Sequence, residues 1–176
     1  MDLIELSKTI RFDNQSKGFD PTEGGVERYL LLTISEICEA QDELRDGRDV
    51  QQIYYTDKDG DDSPVKRIED GFNKPCGFPV ELADAIIRIL DIQAKLELTI
   101  ERLNHDYNFD LTDLEKELLI VINFISSTSY SRTYSLNLAL TRLLAIAEDL
   151  SIDIESVINE KLAYNRTRPA KHGRKF

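Results

Sequence analysis

The chain has 176 residues, 41% hydrophobic and 31% charged, enough for one domain (1–176) with a sizeable core and cramped for two. Its net charge of -11 is uneven: all 33 acids lie at or before Glu160, and Lys161, Arg166, Arg168, Lys171, Arg174 and Lys175 follow, so the preceding chain sets 16 basic residues against 33 acids, or -17. Such a body repels nucleic acid and holds cations, and no apolar run is long enough to span a bilayer. Cys38 and Cys76 lack metal-ligand spacing and no charged-then-apolar leader opens the sequence, which points to a reducing cytoplasm. The basic tail 166–176 has two readings, a disordered end or a segment that meets a phosphorylated ligand.

In chain order, Asp2 to about Phe12 predicts a short amphipathic helix with Leu3, Ile4, Leu6 and Ile10 inward, then a polar loop through Gly25 in which Lys17 is a surface lysine. Val26 to Arg45 predicts a helix with Val26, Leu30, Ile34, Ile37 and Leu44 on one face and Glu36, Glu39 and Glu43 on the other. An E-x-x-E pair in a helix is either a solvated acidic face or two carboxylates close enough to share one cation or water.

Asp46 to Lys74 reads as a long polar loop with a short hairpin around YYTDKDGDD. Its acids Asp57, Asp59, Asp61 and Asp62 do not fit a calcium hand, because Gly60 stands fourth and Ile68 twelfth where Gly is needed sixth and Glu twelfth. Pro79 then starts a helix predicted to reach about Leu103. From Glu81 to Ile92 its only charged positions, Glu81, Asp84, Arg88 and Asp91, share one narrow stripe, so the helix is buried on several sides.

After a turn around HDYNFD, Thr112 and Glu115 have capping-box spacing ahead of LEKELLIVINFI. SSTSYS leads into a helix over Tyr134 to Leu150, and Ser151 or Asp153 caps a last helix to about Asn165. The class is all-α, a bundle of about five to six helices with a long loop between the two acidic ones.

Two carboxylate pairs on two packed helices suit magnesium, which takes oxygen ligands and completes its shell with water or phosphate oxygens. His105 and His172, the only histidines, lack metal-pair spacing, which argues against zinc and di-iron sites, and no P-loop, G-x-S-x-G or dinucleotide-binding motif is present.

The blocks SEICEAQDELR, KPCGFPVELADAIIRILD and EKLAYNRTRPAKHGRKF, in that order, resemble the MazG-like, all-α nucleoside triphosphate pyrophosphohydrolases of the compact phage and bacterial type. The resemblance covers the two acidic helices, the loop edge and the C-terminus, not the stretch from about Glu97 to Leu150. Ser35 stands where the family commonly has the first glutamate of E-E-x-x-E, and Cys76 where K-P-E-G is common.

The resemblance implies hydrolysis of a nucleoside triphosphate to the monophosphate and pyrophosphate with Mg2+, Mn2+ substituting. It makes Glu36, Glu39, Glu81 and Asp84 the metal ligands, with Glu39 orienting the attacking water. Lys161 and Asn165 would face the phosphates, Arg168 and Lys171 would close over them, and Arg88 either touches phosphate or pairs with Asp91. A helical interaction or scaffold protein without turnover is the alternative of another class, and phosphoribosyl-ATP pyrophosphatase chemistry differs in substrate only. Base contacts would come from loops or from Tyr29, Tyr54, Tyr55 and Phe78. The nearly all-apolar runs Glu81 to Ile92 and Leu118 to Ile125, together with the resemblance, imply a homodimer or larger homo-oligomer.

Overall fold

A computed structural model describes residues 1–57, 59–63, 66–68, 71–104, 113–127 and 131–170, with residues 67, 68, 71 and 72 by backbone alone. Among these the fold is all-α: six helices, α1 (Leu3–Ser16), α2 (Val26–Arg45), α3 (Phe78–Lys95), α4 (Leu114–Ser126), α5 (Arg132–Asp149) and α6 (Ile154–Thr167), with five short strands between α2 and α3. Among the described residues no helix is long and apolar enough to cross a membrane.

Helix α3 is the axis of the molecule. Fourteen of its 18 residues are buried, and α1, α2, α5 and α6 all pack on it. Its entry is tightly defined: Gly77 has φ 114°, and a Cβ there would lie 2.3 Å from the Gln52 carbonyl oxygen, so the loop backbone crosses where only glycine fits. Its exit comes earlier than the sequence predicts. The Leu96 N–H closes on Ile92, Glu97 adopts φ 54°, and the Leu98 N–H reaches back to the Gln93 carbonyl, ending the helix at Lys95. Leu96, Leu98 and Ile100 still pack on the core, at the every-second-residue spacing of an extended chain, so the apolar run continues past the helix end without regular structure.

That segment is held by α5. The buried amide of Asn137 accepts from Gln93 Nε2 and the Glu101 N–H and donates to the Thr99 carbonyl, while Thr141 accepts from the Leu103 N–H. Beside it a buried ion pair joins Glu117 of α4 to Arg142 of α5.

Helix α1 runs four residues beyond the expected end, capped by Asp2, and Ile4 is 53% exposed where the pattern predicts it inward. With only the Leu3, Leu6 and Ile10 side to bury, this helix has room for a wide solvent face. Thr112 of the expected capping box, the HDYNFD turn and both histidines lie outside the described residues; Asp113 caps α4 by accepting from the Lys116 N–H.

The expected hairpin is present as β1 (Tyr54–Thr56) against β2 (Asp62–Ser63), and β5 (Lys74–Cys76) pairs with the other edge of β1. β3 (Arg67–Ile68) and β4 (Gly71–Phe72) form a separate antiparallel pair. The acidic turn is internally bonded, with Asp57 accepting from the Asp59 and Asp61 N–H groups. Neighbouring residues on a strand point to opposite faces, so the Tyr54 hydroxyl donates to Glu43 on α2 and the Tyr55 hydroxyl to Glu160 on α6.

Candidate functional site

Helices α2 and α3 lie antiparallel. Glu39 meets Glu81, Glu36 accepts from Arg88, and Tyr29 lies close enough to Asp91 to feel its charge, so residue numbers fall along one helix as they rise along the other. Carboxylate oxygens of Glu36, Glu39 and Glu81 come within 4.8 Å of one another. Glu36 and Glu81 are buried, at 6% and 4% exposure, and Glu39 is exposed at the mouth. The face of α2 that looks solvated in sequence is therefore half buried because α3 covers it. Glu43, one turn on, belongs to the tyrosine contact instead.

Asp84 lies beside this cluster and accepts from the Lys161 ammonium at 2.6 Å. Lys161 is itself buried and is the internal counter-ion of the acids. Burial works against its charge, but Asp84, Glu81 and Glu36 together hold its pKa above the ordinary lysine value. Arg88 reaches across to Glu36 at 2.5 Å, and Asp91, the ion-pair partner in one of its two expected roles, pairs instead with Arg11 of α1 at 2.6 Å. The difference is one of reach: α1 covers the Asp91 end of the stripe and brings its own cation.

The electrostatics are those of negative charge pressed together out of water. Burial, with Asp84 beside it, pushes Glu81 up to about 8, against the opposing pull of Lys161. Burial also raises Glu36, with Arg88 countering it and Asp84 and Glu39 adding to it. The residues present fit a hard divalent cation, since three carboxylates converge, all donors are oxygen, and the two cations nearby satisfy only Glu36 and Asp84. Asn165 adds a buried side-chain oxygen with no hydrogen-bond partner among the described residues.

Glu36, Glu39, Glu81, Asp84, Arg88, Lys161, Asn165 and Arg168 all line one cavity of about 300 Å³. Lys171 lies outside the described residues. Of the aromatic residues expected near a base, Tyr29 lines the cavity, Tyr54 and Tyr55 are engaged with Glu43 and Glu160, and Phe78 is core.

Asn14, Phe19 and Lys74 join the lining without a signal in the sequence, because what places them is the packing of α1 and β5 on the α2–α3 pair, and Arg28 joins it from the first turn of α2. Lys17, which reads as a surface lysine, donates to the Arg166 and Arg168 carbonyls at 2.8 and 2.5 Å. With the Asp13–Arg166 ion pair it clasps the end of α1 to the end of α6. Its charge faces the carbonyl end of α6, where a helix dipole favours a cation, next to the residues that close the cavity.

No family model, curated protein or solved structure matches the chain.

Proposed function

We propose that the protein is a magnesium-dependent nucleoside triphosphate pyrophosphohydrolase of the MazG-like kind. The observation that carries the reading is the convergence of Glu36, Glu39 and Glu81 within 4.8 Å inside a cavity whose wall also holds Lys161, Arg88, Lys74 and Arg168. Acids alone would repel a triphosphate and cations alone would not need the acids; a cavity with both suits a polyphosphate carried with its metal.

Bound magnesium would screen the phosphate charge and lower the pKa of a water at neutral pH. Glu36, Glu39 and Glu81 would hold it, with Asp84 exchanging its Lys161 contact for the metal or keeping Lys161 in place. Glu39, the exposed member of the cluster, orients the attacking water and takes its proton. The water oxygen bonds to the α-phosphorus, the bond from that phosphorus to the α–β bridging oxygen breaks, and its electron pair leaves with pyrophosphate. Lys74, Arg168 and Lys161 stabilise the charge on the departing group.

The test is release of pyrophosphate, scored against phosphate, from a panel of ribo- and deoxynucleoside triphosphates with and without magnesium. Glu81→Gln and Asp84→Asn lose activity and keep their fold. Full activity in both variants would sink the reading, and no turnover of any nucleotide, with no magnesium-dependent stabilisation, would leave the helical interaction protein in its place.

A further inference from the structure

The cavity has two chemically different ends. Seven residues separate Tyr29 from Glu36 on α2 and Asp84 from Asp91 on α3, which at 1.5 Å per residue sets the second end about 10 Å along the groove from the acids. There the wall is Phe19, Tyr29, Leu32 and Ile87, closed by Asn14, with Arg28, one turn before Leu32 on α2, also in the lining. Asp91 at this end is already paired, accepting from Arg11 at 2.6 Å and from Asn14 Nδ2 at 2.9 Å, and the Arg28 guanidinium donates to the Glu23 carbonyl.

A carboxylate can only accept, so Asp91 fixes which way the Asn14 amide faces. Asn14 Oδ1 is left as an acceptor with no hydrogen-bond donor among the described residues. A largely apolar slot with one fixed acceptor suits a flat heteroaromatic ring that carries an N–H better than it suits phosphate, and the Arg28 guanidinium can stack on such a ring. The slot lies one nucleoside length from the carboxylates.

We propose that this α1-side end is the nucleobase subsite, in which the ring lies against Phe19 and Tyr29 and donates an N–H to Asn14 Oδ1, making Asn14 and Phe19 specificity-determining residues. This rests on the nucleotide reading above and adds to it the part of the site that distinguishes a nucleotide from bare polyphosphate. Helix α1 is thereby a working wall of the site, held to α3 by the Arg11–Asp91–Asn14 contacts and to α6 by Asp13 and Lys17.

The experiment compares, by calorimetry in magnesium, binding of α,β-methylene nucleoside triphosphates with binding of tripolyphosphate. The wild-type protein binds at least one of these nucleotides more tightly than tripolyphosphate. Phe19→Ala, on a loop, weakens that nucleotide about tenfold, as expected for a lost aromatic contact, and Asn14→Ala weakens it about fivefold, as for one hydrogen bond. In both, the loss is confined to the ligands that carry a base. Leu32→Trp, which fills the slot from its half-buried wall, gives the same selective loss, and thermal unfolding of each variant verifies the fold.

Nucleotides bound no more tightly than tripolyphosphate, or variants that weaken both equally or neither, would overturn the subsite and leave the metal and phosphate reading standing. A wild-type protein that binds neither ligand would overturn that reading, and the subsite with it.

Discussion

Removing one carboxylate from the acidic cluster should make the metal-free protein more stable at high pH. Glu81 is 4% exposed and its carboxyl is pushed from 4.5 up to about 8, first by burial and then by Asp84. A carboxyl whose pKa is higher folded than unfolded costs nothing below the unfolded value, and its cost grows as pH climbs through the gap. The window therefore opens near 4.5 and closes near 8. At 1.36 kcal/mol per pKa unit the full gap is worth roughly 5 kcal/mol, and relaxation with water entry reduces the expected effect to about 1–3 kcal/mol.

Glu81→Gln keeps the shape and removes the titration. Urea unfolding of both proteins in a chelator, at pH 5 and pH 8, gives two stability differences, and subtracting them cancels groups that do not feel Glu81, while the relief of its neighbour Glu36 adds in the same direction. The mutant gains about 1–3 kcal/mol at pH 8 relative to pH 5. A subtraction near zero, or a mutant that loses ground at pH 8, would refute the account of Glu81 as a charge confined with its neighbours. Magnesium added to the wild-type protein at pH 8 recovers the loss, and added to the mutant recovers less.

Gly77→Ala combines a left-handed backbone with a 2.3 Å approach to the Gln52 carbonyl, so it should destabilise by more than about 2 kcal/mol in denaturant unfolding. Arg142→Met removes the cation of the buried Glu117 ion pair and should cost about 3–5 kcal/mol, and adding Glu117→Leu should restore most of it. Lys17→Met removes the clasp on α6, raising KM for the nucleotide several-fold at nearly unchanged kcat, with Lys17→Arg restoring it; an unchanged KM would make the clasp merely structural. In light scattering the protein should run as a homodimer. Because α3 is covered by its own chain, the contact falls on exposed side chains such as Leu31 and Leu119, and Leu119→Glu should yield a monomer.

The acidic helices were legible because burial and charge leave a local periodic trace. Val26–Arg45 reads with its observed ends, and the stripe Glu81, Asp84, Arg88 and Asp91 forecasts a helix enclosed on most sides. Leu96, Leu98 and Ile100 read as more of the same helix because they are apolar, although their every-second-residue spacing is that of an extended chain and marks the turn at Glu97. The partners within the stripe were beyond the sequence. Arg88 is one turn from Asp91 but bonds Glu36, and Asp91 takes Arg11 from 80 residues away, because pairing depends on which helix arrives opposite. Asn14, near the end of α1, and Phe19, in the loop after it, are invisible for that reason too: they gain meaning only when α1 docks beside α3.

The two tyrosines of β1 carry a consequence for how the gap between the acids and Lys161 is kept. Glu43 stands one turn beyond Glu39 on α2, and Glu160 directly precedes Lys161 on α6. Tyr54 and Tyr55, adjacent in the chain and pointing opposite ways, act as a strut of fixed length between the two helices. The width of the mouth is thus written in one dipeptide. Insertions at the tip, between Asp57 and Asp61, should be absorbed without touching the site, whereas inserting one residue between Tyr54 and Tyr55 would turn both hydroxyls toward the same helix and let the jaws drift apart.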